Sequence, residues 1–433
     1  MPLAGLGARR AIKLLHMPEI SPWIPLDLDP DTRVAIDDAL GEIAQGVAAR
    51  GRHQGDAHTL AQASLFFAYL GRANGSDQQL NLAGDLLDDA LDALENTYVR
   101  PGLYGGIAGI GWIAHHLGGV DARFQSAEDR NQMVDEFLFD ELRASTESDN
   151  YDLIGGLVGY GVYFLDRLPL PSGREGLQLT VERLVALAEM MPEGACWHTP
   201  ASLLPEWQRR QCPTGYYNFG MAHGIPGILV LLARCVDHDV ARPVAGELLE
   251  RGVSWLLTQH QDDSVGSRYP SWKEKPKDPG HISRVAWCYG DTGPAWSLMA
   301  AGSALRRPDW FAHGRRILEE CTRREDVENS VRDVPLCHGA AGLLHMYHRA
   351  SRLLGSRELE LGARHWLART LKMRTPGRFV GGYGSYNTPT KDAGVPDWGD
   401  DASFLTGVAG IGLALLACIS SVEPKWDRLL LLS

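Results

Sequence analysis

The chain has 433 residues, 44% of them hydrophobic and 22% charged, the balance of a globular protein with a large core. Lys and Arg total 42 against 54 Asp and Glu, a net charge of −12, which argues against a nucleic-acid partner. Seven cysteines, an odd number spread from Cys196 to Cys418, do not read as a secreted disulfide framework and point to a reducing, cytoplasmic setting.

From the N-terminus, Arg9, Arg10 and Lys13 interrupt Met1 to Leu15, so no signal peptide is expected there. Residues 1–54 are expected to form an N-terminal segment with an outer helix, and residues 55–433 one all-α domain. Ala61-Gln-Ala-Ser64 before an apolar run reads as a degenerate first copy of a repeat. Leu80 to Leu94 is amphipathic, its leucines at helical spacing with Asp88, Asp89 and Asp92 between them. Then Gly-x-x-Gly recurs before apolar stretches, opening at Gly106, Gly156, Gly224, Gly290, Gly339 and Gly407. The spacings are 50, 68, 66, 49 and 68 residues. Each copy predicts a tight turn feeding a buried helix, with an amphipathic outer helix between copies. Pro192 to Asn218 and Thr375 to Asp401 break this rhythm and read as loops, and residues 160–220 have room for a small inserted subdomain. The apolar run Leu405 to Ile419 is long enough to suggest a membrane span, but it opens with the repeat's glycines and reads as a buried helix.

The register of the repeat locates the chemistry. The two residues before each first glycine are Tyr104-Gly105, Ile154-Gly155, Ala222-His223, Cys288-Tyr289, Cys337-His338 and Leu405-Thr406. Cysteine twice takes one register position and histidine twice the next. If the units share an axis, these side chains meet at one level. Cys288, Cys337 and His338 would then offer Zn²⁺ two thiolates and an imidazole, with a fourth position open for substrate. A rival cluster, Cys196, His198 and Cys212, lies in a loop and lacks the register.

Trp287-Cys288-Tyr289-Gly290, Cys337-His338-Gly339, Met221-Ala222-His223-Gly224 and Tyr151-Asp152-Leu-Ile-Gly155-Gly156 resemble the signature segments of lanthionine synthetase C-like proteins. A separate chain of this size is similar to the lantibiotic cyclases among them, from about Gly55 to Val422. The resemblance implies an α,α-toroid of seven inner and seven outer helices with one zinc per chain. It implies a leader-bearing precursor peptide, already dehydrated at Ser and Thr by a separate dehydratase, and an exporter as a further partner. It also implies membrane association through that biosynthetic complex, with no transmembrane span of the chain's own. Residue by residue, Cys288, Cys337 and His338 match zinc ligands, and His223 and Asp152 an acid/base pair. Arg284 and Tyr289 match further active-site positions, and Trp287 lies beside them as a substrate contact.

The expected reaction is attack of a peptide thiolate on the β-carbon of dehydroalanine or dehydrobutyrine. His223 would protonate the enolate, Asp152 orient the imidazole, and Arg284 stabilise the oxyanion. Three alternatives compete: a non-catalytic scaffold, a relative handling glutathione or another small thiol, and a glycan-active enzyme using Asp152 and Asp291. An intact Cys-Cys-His set argues against the first, and the last has no use for it.

Overall fold

A computed structural model describes residues 23–54, 56–94, 100–144, 150–324, 331–387 and 397–433. The readings for Met1 to Leu15 and Gly55, and the middle of the 375–401 loop, fall outside them. The chain is helical, with a few strands of two or three residues. In order it forms α1 (Pro30–Gln54), α2 (Ala57–Asn74), α3 (Asp77–Leu94), α4 (Ile107–Val120) and α5 (Gln132–Ala144). There follow α6 (Leu157–Asp166), α7 (Pro171–Leu187), the hairpin β1 (Glu189–Met191) and β2 (Gly194–Cys196), then β3 (His198–Thr199), α8 (Glu206–Gln211) and β4 (Tyr216–Asn218). After α9 (Ile225–Asp237), α10 (Arg242–Thr258) and β5 (Trp272–Lys273) come α11 (Thr292–Ala304), α12 (Pro308–Cys321), α13 (Ala340–Leu354) and α14 (Arg357–Lys372). The hairpin β6 (Ser385–Asn387) and β7 (Asp397–Gly399) and the final helix α15 (Val408–Ile419) complete the order.

Seven of these helices, α2, α4, α6, α9, α11, α13 and α15, are the apolar partners the repeat predicted. In α15 every residue from Val408 to Cys418 is buried. Its 12 residues rise about 18 Å, short of the roughly 30 Å of a bilayer core, and no described helix is long and apolar enough to cross one.

Close approach explains the glycines. Before α4, α6, α9, α11, α13 and α15 the chain makes a turn that folds back onto the helix's first residues. A Cβ on Gly156 would lie 2.1 Å from the Asn150 carbonyl oxygen, and one on Gly342 2.0 Å from that of Leu336. In both cases the carbonyl belongs to the residue six before the glycine. This fold-back also satisfies helix N–H groups that have no partner within the helix. The amide of Leu157 donates to Asn150 at 3.0 Å, that of Ala340 to Asp333 at 3.0 Å, and that of Val408 to Asp401 at 2.9 Å. Gly342→Ala is therefore expected to destabilise the protein by about 1–3 kcal/mol, because neither backbone can yield without moving the turn. Gly41 in α1, where a Cβ meets nothing, is the control: Gly41→Ala should stabilise by about 0.5–1 kcal/mol. Urea midpoints at unchanged slope would read both, and a neutral Gly342→Ala would refute the steric account.

The first copy starts earlier than the sequence pattern suggested. Helix α2 opens at Ala57, and the Asp56 side chain accepts from the Thr59 amide as its N-cap. Asp56 stands 50 residues before Gly106, the same spacing as Gly106 to Gly156. A carboxylate cap here replaces the glycine turn, so a search for Gly-x-x-Gly landed mid-helix.

The chain forms two compact units. One comprises Pro101–Tyr104 and Met133–Asn329, the other Pro22–Arg100, Gly105–Gln132 and Ser330–Ser433. In the first, α6 packs on α7, α9 on α10 and α11, and α11 on α12. Strand β4 sits between β3 and β5, while β2 lies against α10. The segment read as the loop Pro192 to Asn218 thus holds short strands and a helix, too brief to display a period of two in sequence. In the second unit α2 packs on α3 and α4, α13 on α14, and α15 on α1, α2 and α13. The 375–401 segment is anchored there: the Gly377 amide donates to Glu42 Oε1 at 2.7 Å, and the Tyr386 amide donates to Asp333 Oδ2 at 3.1 Å.

Candidate metal centre

The fold-back turns hydrogen-bond to one another at the register position two before each first glycine. The Tyr104 amide donates to the Ile154 carbonyl at 2.9 Å, and Leu153, next to that position, donates to Ala222 at 3.0 Å. The Cys337 amide donates to the Leu405 carbonyl at 2.9 Å. The turns at Tyr104, Ile154 and Ala222 in the first unit, and at Cys337 and Leu405 in the second, are thus tied at one register level.

In the first unit, His223 Nδ1 lies 2.7 Å from Asp152 Oδ2. A carboxylate accepts, so Nδ1 carries a proton and Nε2 is left to exchange one. Asp152 is itself held, its Oδ1 accepting from the Gly155 amide at 2.8 Å. Burial opposes a charge on His223, but the hydrogen bond and negative charge of Asp152, with a contribution from Cys288, outweigh it and raise the imidazole pKa. The Arg284 guanidinium donates to Cys288 Sγ at 3.3 Å, so it contacts a candidate ligand sulfur. Tyr289 is half-buried, its ring centroid 6.1 Å from that of His223. Trp287 is 1% exposed and meets Tyr104 edge-on.

In the second unit, Cys337 and His338 are half-buried, and His338 Nε2 lies 3.4 Å from Asp333 Oδ2. Cys288, Cys337 and His338 are the single group of candidate metal ligands among the described residues. Two sulfurs and an imidazole are a donor set that suits zinc.

The rival cysteines are otherwise engaged. Burial pushes the Cys196 thiol up to about 12, and Cys212 packs with Leu204, Tyr216 and Trp272. Asp291 is 2% exposed and accepts from the amides of Arg268 and Tyr269, so its carboxylate supports backbone.

Two residues of the site escaped the sequence reading, Asn218 and Asp333. A signal existed: a polar residue stands six before each first glycine, namely Arg100, Asn150, Asn218, Arg284, Asp333 and Asp401. In three copies it closes a side-chain turn, with Asn150, Asn218 and Asp401 accepting from the amide two residues on.

The sequence profile of the family described as lanthionine synthetase C-like protein matches residues 57–431. The nisin biosynthesis protein NisC of Lactococcus lactis subsp. lactis is 23% identical over 279 residues, which are 60% of this chain and 64% of that protein. A solved structure of nisin cyclase superimposes with a TM-score of 0.75 at 20% identity, covering 92% of this chain and 97% of that one. The fold class is accordingly all-α, the α,α-toroid of that structure.

Proposed function

This chain belongs to the lanthionine synthetase C-like family, and on that premise we propose that it is a zinc-dependent lantibiotic cyclase. Its substrate would be a leader-bearing precursor peptide dehydrated by a separate enzyme, and its products lanthionine and methyllanthionine thioether rings. The observation that carries this reading is the Cys288, Cys337 and His338 donor set, to which Cys288 adds an electrostatic link with the His223–Asp152 pair.

When bound, zinc would lower the pKa of an arriving peptide thiol while leaving its sulfur nucleophilic. Arg284 would steady the Cys288 sulfur through its 3.3 Å contact. The S–C bond forms at the β-carbon of the dehydro residue as the double-bond pair moves toward its carbonyl. The enolate then takes a proton at the α-carbon from His223, held as imidazolium by Asp152. One proton leaves the thiol and one arrives at carbon, so the product is an isomer of the reactant.

The test is incubation of the zinc-loaded chain with a dehydrated, cysteine-containing precursor, followed by thiol alkylation and mass spectrometry. Ring closure appears as loss of alkylation sites without any change in unalkylated mass, above the uncatalysed background. No gain over that background would overturn the reading. Its pH dependence tests the acid. Because the His223 pKa is raised, imidazolium persists above the ordinary value of about 6.5. The rate should fall only as pH rises through that raised value. Asp152→Asn removes the hydrogen bond and charge responsible, so the falling limb of kcat/KM should move to lower pH, with a larger loss at pH 8 than at pH 6. An unmoved limb would deny Asp152 this role.

A further inference from the structure

Asn218 is 0% exposed and joins three parts of the site. Its Oδ1 lies 2.8 Å from the Gly220 amide, and its Nδ2 lies 3.1 Å from Tyr289 Oη and 3.2 Å from Tyr216 Oη. A backbone N–H can only donate, so the atom facing Gly220 is the oxygen. The side-chain amide is therefore fixed one way round, with its NH₂ toward the two phenols. It cannot easily turn, since a Cβ on Gly224 would sit 2.6 Å from Oδ1, a measure of how tightly the turn carrying His223 wraps it.

An NH₂ group can only donate, so both phenol oxygens accept from it. Tyr216 sends its own proton to Gln208 Oε1 at 3.3 Å. At rest the Tyr289 hydroxyl donates to the Tyr216 oxygen, a neutral acceptor. An oxygen bearing developing negative charge is the stronger acceptor and would displace it. Filling the phenol's lone pair from behind also strengthens its O–H as a donor.

We infer that Asn218 is a positioning residue that turns the Tyr289 hydroxyl into a hydrogen-bond donor for the carbonyl oxygen of the dehydro residue as the enolate forms. This rests on the cyclase reading. Tyr289 directly follows Cys288 and neighbours His223, so its donor would act where the proton is delivered.

The discriminating variant is Asn218→Asp. It preserves shape and the acceptor for Gly220, but offers the phenols an acceptor and draws the Tyr289 proton back onto itself. Turnover should fall about 10²- to 10³-fold, the usual cost of losing one oxyanion donor, with zinc content and KM near wild type. Tyr289→Phe should lose as much, and the double variant no more than either. The ¹³Cζ resonance of Tyr289, identified by its absence in Tyr289→Phe, should shift in Asn218→Asp. Wild-type turnover in Asn218→Asp, or losses that multiply in the double variant, would overturn the inference and leave the cyclase reading standing. A wild-type protein that closes no rings would remove both, and the resonance would then report only the hydrogen bond.

Discussion

His223→Ala is expected to close thioether rings about 10²- to 10⁴-fold more slowly than wild type while keeping its zinc and its fold. The factor is the usual loss for a positioned acid or base, and nothing else at the site replaces it. Arg284 does not exchange protons near neutrality, and burial holds the Tyr289 phenol well above its ordinary range. Zinc retention follows because the donor set does not include His223. The fold is expected to survive because His223 leaves 41% of its side chain exposed, on a turn whose backbone amides and carbonyls are engaged independently of it. Turnover is read by thiol alkylation after subtraction of the uncatalysed addition, metal by elemental analysis. Wild-type turnover would assign proton delivery to water or another group, and the proposed mechanism would fall.

Cys337→Ala is expected to lose zinc, and activity with it, at little cost in helical content. A ligand partner that only orients a donor is worth about 10- to 100-fold in metal affinity, so removing one of three donors should exceed that. The helices stay because their stability comes from apolar burial: α13 and α15 bury nearly every residue whatever the metal does. The Cys337 amide bond to Leu405 also survives truncation of the side chain. Cys235→Ala is the matched control. That thiol is fully buried and burial pushes it up to about 12, the character of a core thiol that binds nothing. Competition against a chromophoric chelator measures affinity, and circular dichroism measures helix. Full zinc retention in Cys337→Ala, or equal loss in Cys235→Ala, would sink the ligand assignment.

How far the sequence went can be traced through single residues. The Gly-x-x-Gly copies were readable because a backbone approach near 2 Å admits no side chain, and that constraint recurs at Gly156, Gly290, Gly342 and Gly410. The register of Cys288, Cys337, His338 and His223 was legible for the same reason, since residues beside those glycines keep one position wherever the helices go. Asp56 was not, because a carboxylate caps the first helix by different chemistry from glycine. Nor were the strands of two or three residues, whose pairing comes from segments as distant as β4 and β5.

The sequence by itself determined the helical repeat, the level at which its turns carry chemistry, and the residue types able to hold zinc and move a proton. These are local consequences of steric exclusion and of periodicity. Only the tertiary structure decided what those residues do to one another. It placed Arg284 on a sulfur, buried Trp287 against Tyr104, and set the Asn218 amide against a phenol 71 residues away. Hydrogen bonds direct a proton over about 3 Å, and one chain position carries no information about which distant group will come that close.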